Sequence, residues 1–568
     1  MKRRLVSMFI LCLLVQWSAA QAPRWVDKAK RAVFSVITYD QNDKILNTGN
    51  GFFVTEDGVA LSDYTLFKGA QRAVVVNADG MQMSVEAIMG ANDIYDVVKF
   101  RVGISGKKVP ALTLSATAPV AEADVYLLPY STHKDRTYIA GKVKAEVKIA
   151  EKFLYYTLGM RLKDKMVSCP VMTADGQVFG LVQKSSGQDT ASICYAVDVN
   201  FAMAQHISAL SFGDASLKNI GIKKALPDTE EQALAFLYMA PSQLSPEKYM
   251  EALDDFIAQY PNSADGYLRR ASQYVFMSKD DATMDKVSAN MDKALQVAVK
   301  KDNVYFNRAK IIYNYVLGKP EKAYKDWSYD TALEEIKKAI NIDELPIYVQ
   351  LEGDIRFAAQ DYPGAFTCYD KVNKTTGMAS PATFFSAAKA KELMQAPAEE
   401  VLALMDSCVV RLHQPYTEEE APYLLERAQA RMNAGDARNA VQDYDAYYKA
   451  VKGNVNDAFY YYREQAALKA KQYQRALDDM AKAIELNPDD LTYRAELAVV
   501  NIRIGRYEEA LEILKAALEK DAKYAEAYRL MGIVQLQLKN DKEACVSFAR
   551  AKELGDPNVD ILIEKHCK

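Results

Sequence analysis

Histidine is the scarcest reactive residue in this 568-residue chain, which holds only His133, His206, His413 and His566. No imidazole precedes residue 133, so the opening part of the chain has no histidine base or metal ligand to offer. Cysteine is also sparse, at seven residues. With no Cys-x-x-Cys pair and no Cys/His cluster of zinc-ligand spacing, the sequence carries no metal-site signature. It carries no cofactor motif either. Beyond the N-terminus no apolar run is long enough to cross a bilayer. Neither charge dominates: 71 Lys+Arg face 75 Asp+Glu, a net charge of -4. That gives no electrostatic case for binding nucleic acid or an anionic membrane. What is present, 50% hydrophobic and 26% charged residues, is the composition of folded globular protein and excludes disorder as the main state. The length predicts more than one domain.

The N-terminus reads as an export signal over residues 1–20. Lys2, Arg3 and Arg4 precede an apolar run, Leu5 to Val15, and Ser18-Ala19-Ala20 supplies small residues for cleavage before Gln21. Leu11 stands before Cys12 where lipid attachment wants a small residue, so no lipid anchor is expected. Removing the three basic residues leaves 68 of the 71, against 75 acidic ones, a net -7. An exported chain, periplasmic or alternatively secreted, is therefore expected. Six cysteines would remain, Cys169, Cys194, Cys368, Cys408, Cys545 and Cys567. An even number in an exported chain permits disulfides.

The texture changes near residue 213. Before it, short β-rich runs such as Ala32 to Tyr39, Val125 to Leu128 and Val178 to Val182 alternate with Asp-Gly turns at 57–58, 79–80 and 175–176. Many short strands without intervening helices predict a barrel or sandwich over 24–212. Residues 213–228 read as a linker, and 229–568 as helical throughout. The helical part repeats. Ala476, Ala510 and Ala544 lie 34 residues apart, and Ala483, Ala517 and Ala551 follow at the same spacing, with Met480, Leu514 and Phe548 between. Small residues where antiparallel helices cross, each followed by a bulky residue one turn later, make stacked helical hairpins. Weaker repeats centre on Ala440 and Tyr444, on Gly353, Ala365 and Tyr369, and on Ala332, Ile336 and Ala339, the last after a longer loop around Lys319 to Trp327. Hairpins also fit 229–262, 264–300 and 381–414, about nine in all.

The units around AFYYYREQAALKAKQYQRALDDMAKAIELNP and the two that follow resemble tetratricopeptide repeats. Residues 24–212 resemble a trypsin-like serine peptidase of the periplasmic Deg type. TGNGFFVTEDGVALSDYTLFKGA (48–70), NDIYDVVKFRV (92–102), KMVSCPVMTADGQVFGLV (165–182) and SICYAVDVNFA (192–202) carry the match in the right order. The resemblance implies an all-β chymotrypsin-like double barrel followed by an all-α tetratricopeptide solenoid. It also places the family's catalytic histidine, aspartate and serine at Thr65, Asp96 and Val167. Thr65 is flanked by Tyr64 and Leu66, so no slip of register recovers a histidine. Valine has no nucleophilic atom. Lys165, Ser168 and Cys169 occupy loop positions where the family uses glycine to turn N–H groups toward the oxyanion.

A peptidase fold that has lost its chemistry is the expected reading, with no cofactor. The alternative is an active serine or Cys169-dependent endopeptidase in which His133 or His206 assists and the repeats recruit substrate. A protein or peptide partner is expected on the concave face of the solenoid. Its candidate contacts are first-helix residues too large to be crossing contacts: Tyr461, Glu464, Arg494, Asn501, Arg529 and Gln535. Candidate disulfides are Cys169–Cys194 and Cys545–Cys567, with Cys368–Cys408 the weakest pair.

Overall fold

The computed structural model describes residues 23–132, 137–183 and 192–567. Residues 1–20, expected to be an export signal, and His133 lie outside the described residues. The chain divides into two compact units, one ending at Met277 and the other beginning at Ser278.

The first unit starts with the short helix Val26–Lys30 and twelve strands. Six of them close one antiparallel barrel in the order β1-β2-β3-β6-β5-β4: β1 Val33–Tyr39, β2 Ile45–Phe53, β3 Val59–Ser62, β4 Arg72–Val76, β5 Gln82–Asn92 and β6 Val97–Val102. The other six close a second barrel in the order β10-β11-β12-β9-β8-β7: β7 Asp124–Leu127, β8 Ile139–Ile149, β9 Phe153–Gly159, β10 Pro170–Thr173, β11 Val178–Gln183 and β12 Cys194–Asp198. Closure pairs every strand on both edges and leaves none open to a neighbouring molecule. The barrel interiors are filled by alternating apolar residues. Phe34, Val36, Phe53, Val98 and Phe100 fill the first, and Val125, Leu127, Val143, Leu158 and Val171 the second, all buried.

The stretch 213–228 is not a free linker. It is laced to the first barrel by four backbone hydrogen bonds: Asn219 O and Lys223 O accept from Gly69 N and Ile88 N, at 2.7 and 2.8 Å, while Gly221 N and Ala225 N donate to Ala70 O and Ile88 O, also at 2.7 and 2.8 Å. Leu217, Ile220 and Ile222 are buried in the first barrel's core cluster. That cluster continues into Ala233, Phe236 and Leu237 of the helix Glu230–Met239 and into Tyr249, Leu253 and Phe256 of the helix Pro246–Gln259. The first helices thus share a core with the barrel, and the helix Ala264–Met277 also lies in the first unit. The hairpin expected over 264–300 is divided between the two units.

In the second unit the helix Asp281–Val297 is followed, among the described residues, by seven helical hairpins. The first pairs Asp302–Leu317 with Tyr329–Ile342 across the long loop expected around Lys319 to Trp327, and the last pairs Ala525–Gln537 with Asp541–Glu553. A final helix, Asp560–His566, ends the chain. The residues of the 34-residue repeat are fully buried, as the crossing geometry requires: Ala476, Ala510, Ala544 and their bulky partners Met480, Leu514 and Phe548 are all 0% exposed.

The turns repeat too. Lys471, Gly505 and Lys539 all adopt left-handed backbone, at φ 60°, 78° and 64°. The next amide returns to the first helix each time: Gln472 N to Ala467 O, Arg506 N to Asn501 O and Asn540 N to Gln535 O, at 2.8–2.9 Å. This is the closure that satisfies the last carbonyls of a helix.

Cys545 and Cys567 are disulfide-bonded and tie the last hairpin to the terminal helix. Cys169 and Cys194 are buried and free, as are Cys368 and Cys408. The Cys169–Cys194 pairing fails on sheet order. Cys169 O accepts from Val182 N, and Val182 pairs with Ala196, so β11 lies between the two cysteines' strands. Two strand spacings put their backbones about 9–10 Å apart, beyond the roughly 7 Å a disulfide spans.

At Gly532 an added Cβ would run into the Phe548 ring. Gly532→Val is expected to cost about 1–3 kcal/mol, seen as lost hydrogen-exchange protection in Ala525–Gln537 and Asp541–Glu553. Unchanged protection there would show that the crossing has room to spare.

Candidate functional site

The family's three catalytic positions converge at the junction of the two barrels. β3 runs into Asp63, and a short helix, Tyr64–Phe67, begins. Thr65 lies in its first turn, and its backbone N–H donates to Asp96 Oδ1 at 2.7 Å. Asp96 sits between β5 and β6 in left-handed backbone, φ 48°. Its carboxylate therefore holds a backbone amide at the position where the family carries an imidazole. From the other barrel comes the loop before β10, opened by a 3-10 turn at Asp164–Met166. Asn50 of β2 reaches across and donates through Nδ2 to Lys165 O and Val167 O, both at 2.9 Å. Ser62 Oγ in turn donates to Asn50 O at 2.6 Å.

Ser168 takes a left-handed conformation, φ 65°, which costs a residue with a Cβ more than it costs glycine. Ser168 is fully buried, and its N–H donates to Val182 O at 2.9 Å. The amide is spent inside the second barrel. Cys169 is also fully buried, and burial pushes its thiol up to about 12. A thiol in that state supplies almost no thiolate near neutrality. His206 is exposed, its Nδ1 3.1 Å from Ala204 O.

Beside Ser168 lies a residue the sequence reading passed over. Asp63 is buried, and burial first, then the Asp96 charge, drives its carboxyl well above the ordinary carboxylate range. Asp63 Oδ1, Tyr64 Oη and Ser168 Oγ are all buried without a hydrogen-bond partner among the described residues. The signal was a single acidic residue inside the otherwise uncharged run VALSDYTLF (59–67).

The six repeat residues proposed as binding contacts separate into two groups. Glu464 is fully buried, its Oε2 accepting from Gln465 Nε2 at 2.7 Å, and burial with the nearby Glu496 raises its carboxyl to about 8. It occupies the crossing position that Ala498 and Gly532 hold at 34-residue spacing, so its side chain is enclosed. Asn501 is buried, and its Nδ2 donates to Leu497 O of its own helix. Gln535 Oε1 accepts from Ser547 Oγ within the hairpin, at 2.7 Å. Arg529 is held by Asp556, at 3.0 Å, and by Glu526, at 2.6 Å. These four groups are committed to packing or to neighbours.

Tyr461 and Arg494 remain. Tyr461 is half-buried with its ring centroid 5.9 Å from Tyr493 and 5.5 Å from Tyr462. The half-buried Arg494 has a buried Nε with no hydrogen-bond partner among the described residues.

Residues 49–188 match the family model for a trypsin-like peptidase domain, and residues 467–534 match that for a tetratricopeptide repeat. The chain joins a trypsin-like peptidase fold to tetratricopeptide repeats. Among curated proteins it is 31% identical over 96 residues to Small glutamine-rich tetratricopeptide repeat-containing protein 2 of Mycosarcoma maydis, covering 17% of this chain and 27% of that one. It is 30% identical over 95 residues to Protein SGT1 homolog of Bos taurus, covering 17% and 28%. Over 94 residues it is 28% identical to Hsp70-Hsp90 organizing protein 3 of Arabidopsis thaliana, covering 16% of each. The chain spans about a quarter of the length of the first two relatives. Among the described residues no helix is long and apolar enough to cross a membrane.

The buried Asp63 gives the first unit a pH signature. Above the ordinary value of 3.8 the unfolded chain releases this proton while the folded chain keeps it, so stability falls as pH rises until folded Asp63 itself ionises. Asp63→Asn removes that slope. Relative to the natural chain, its stability is expected to improve from about pH 5 to about pH 8, by at most about 1.4 kcal/mol per pH unit. Urea denaturation at the two pH values reads this directly, and an identical difference at both would show that Asp63 does not hold its proton.

Proposed function

We propose that this is an exported protein-interaction protein in which a catalytically dead trypsin-like domain accompanies repeats that hold a protein or peptide partner. The observation that carries the first part is the state of the nucleophile loop. Val167 stands at the nucleophile position, the following amide is bonded to Val182 O, and Cys169 is sealed in the barrel. Thr65 faces Asp96 through its backbone instead of through a base. Val167 and Thr65 deny acyl transfer two things it needs, an activated nucleophile and a proton acceptor.

The reading of a protein partner is supported by the repeats themselves and by relatives named for tetratricopeptide repeats or for organizing Hsp70 and Hsp90. The proposed contact surface is the concave face of the stacked hairpins, where Tyr461 and Arg494 are the residues least committed to internal bonds. Export rests on the N-terminal segment and agrees with the Cys545–Cys567 bond, since disulfides persist in oxidising compartments.

The purified chain is expected to cleave neither casein nor fluorogenic peptides and to take no label from an active-site fluorophosphonate. Turnover that survives in both Ser168→Ala and Cys169→Ala would overturn this, and turnover lost only in Cys169→Ala would establish a substitute nucleophile. The double variant Thr65→His with Val167→Ser is expected to stay inactive, because Lys165, Ser168 and Cys169 still place side chains where the family's loop uses glycine. Probe-sensitive turnover in it would contradict the proposal.

For the repeats, Tyr461→Ala and Arg494→Glu in the full chain are each expected to weaken partner capture by about tenfold or more. Each variant should melt like the natural chain. Undiminished capture in both variants would move the partner site elsewhere.

A further inference from the structure

An apolar recess that the peptidase and repeat readings leave unused lies inside the first unit. There the segment 213–228 passes between the first barrel and the first two helices. It is a cavity of about 450 Å3, within the roughly 300–1,000 Å3 that encloses small molecules. Its apolar wall is made by Ile207, Phe212, Leu217, Ile222, Phe236 and Leu244. Phe212 and Phe236 stack on each other, with centroids 4.5 Å apart and planes at 23°. The rest of that wall is aliphatic, so the lining suits a flexible aliphatic body.

The polar lining is unbalanced. Lys218, Lys223, Lys224 and Lys248 face Glu251 and Asp255. Lys223 is ion-paired with Asp255, and among the described residues no carboxylate pairs with the other three lysines. Lys224 is the most constrained. Its half-buried ammonium donates to Ile220 O and, at 2.7 Å, to Ile222 O, so it is anchored by neutral carbonyls alone. Burial, then the repulsion of Lys248, pulls it down to about 8. An anion beside it would answer both effects. A partly desolvated cation without a counter-charge is costly, and a recess that sets Lys224 beside apolar surface, with the exposed Lys218 and Lys248 at its rim, is complementary to a molecule with one anionic end.

We infer that this cavity binds an amphiphilic monoanion, an aliphatic chain ended by a carboxylate, with the carboxylate at Lys224 and Lys248 and the chain against Ile207, Leu217, Ile222 and Leu244. This site is independent of the peptidase cleft and of the repeat surface. It combines Ile207 and Phe212, at the end of the stretch assigned to the barrels, with residues assigned to a linker and to helices, and it forms where that linker is laced to β5.

The test is calorimetric titration of the full chain at neutral pH with dodecanoate below its micelle concentration. Saturable one-to-one binding is expected. Dodecanol, which keeps the chain and loses the charge, and acetate, which does the reverse, are each expected to bind about tenfold more weakly or worse. Lys224→Met keeps the aliphatic stem and is expected to weaken dodecanoate by about tenfold. Lys248 is exposed, so Lys248→Gln reads the carboxylate's contribution even where Lys224→Met disturbs folding. The proposal falls if dodecanoate shows no saturable binding, if dodecanol binds as tightly, or if Lys248→Gln and every folded Lys224→Met preparation bind like the natural chain.

Discussion

Close approach of paired helices governs the second unit, and only the smallest side chains allow it. Where Ala476, Ala510 and Ala544 meet their partner helices, no atom is exposed. Met480, Leu514 and Phe548 fill the space one turn on. Every other feature of the array follows from holding that distance. The turns must close within a few residues, which fixes left-handed backbone at Lys471, Gly505 and Lys539 and returns each next amide to the first helix. Charges near the crossing must be answered locally, as Arg463 is by Asp479, at 2.6 Å. Glu464 shows the consequence of placing an ionisable group at a crossing position: enclosure raises its carboxyl toward the protonated form.

The first unit obeys a different rule, the closure of two sheets upon themselves. Closure leaves the functional loops at the seam between barrels, where Asn50, Asp63, Thr65, Asp96 and Ser168 meet. In an active peptidase such a seam keeps polar groups oriented for substrate. Here the same backbone framework is retained while its polar groups turn inward or are spent on one another. Asp96 holds an amide, Ser168 N–H holds Val182 O, and Asp63 Oδ1 is buried without a hydrogen-bond partner among the described residues.

The segment 213–228 gives the two architectures a common core. Through it, Ile220 and Ile222 bury against the barrel, and Phe236, Leu253 and Phe256 extend the same apolar cluster into the first helices. The lysine-rimmed cavity is a by-product of that joint: helices packed against a barrel leave a wedge that their side chains do not fill.

Both architectures were legible in the amino-acid sequence. Alternating short apolar runs and Asp-Gly turns define the barrels, and a 34-residue alanine spacing defines the hairpins, because each pattern reports a local periodicity that packing must respect. The absence of an imidazole before residue 133 and the valine at 167 are likewise facts of sequence alone. Tertiary structure decided what depends on three-dimensional neighbours. Composition made 213–228 a linker, but its carbonyls and amides find partners only once β5 and the turn at Gly69 and Ala70 are in place. Spacing made Glu464, Asn501, Gln535 and Arg529 surface contacts, but the companion helix and nearby acidic groups enclose or bind them. Cys169 and Cys194 are kept apart by β11, a strand order that no pair of sequence positions reveals. Asp63 is an ordinary carboxylate in the sequence, and only burial at the seam of the two barrels raises its carboxyl above the usual range.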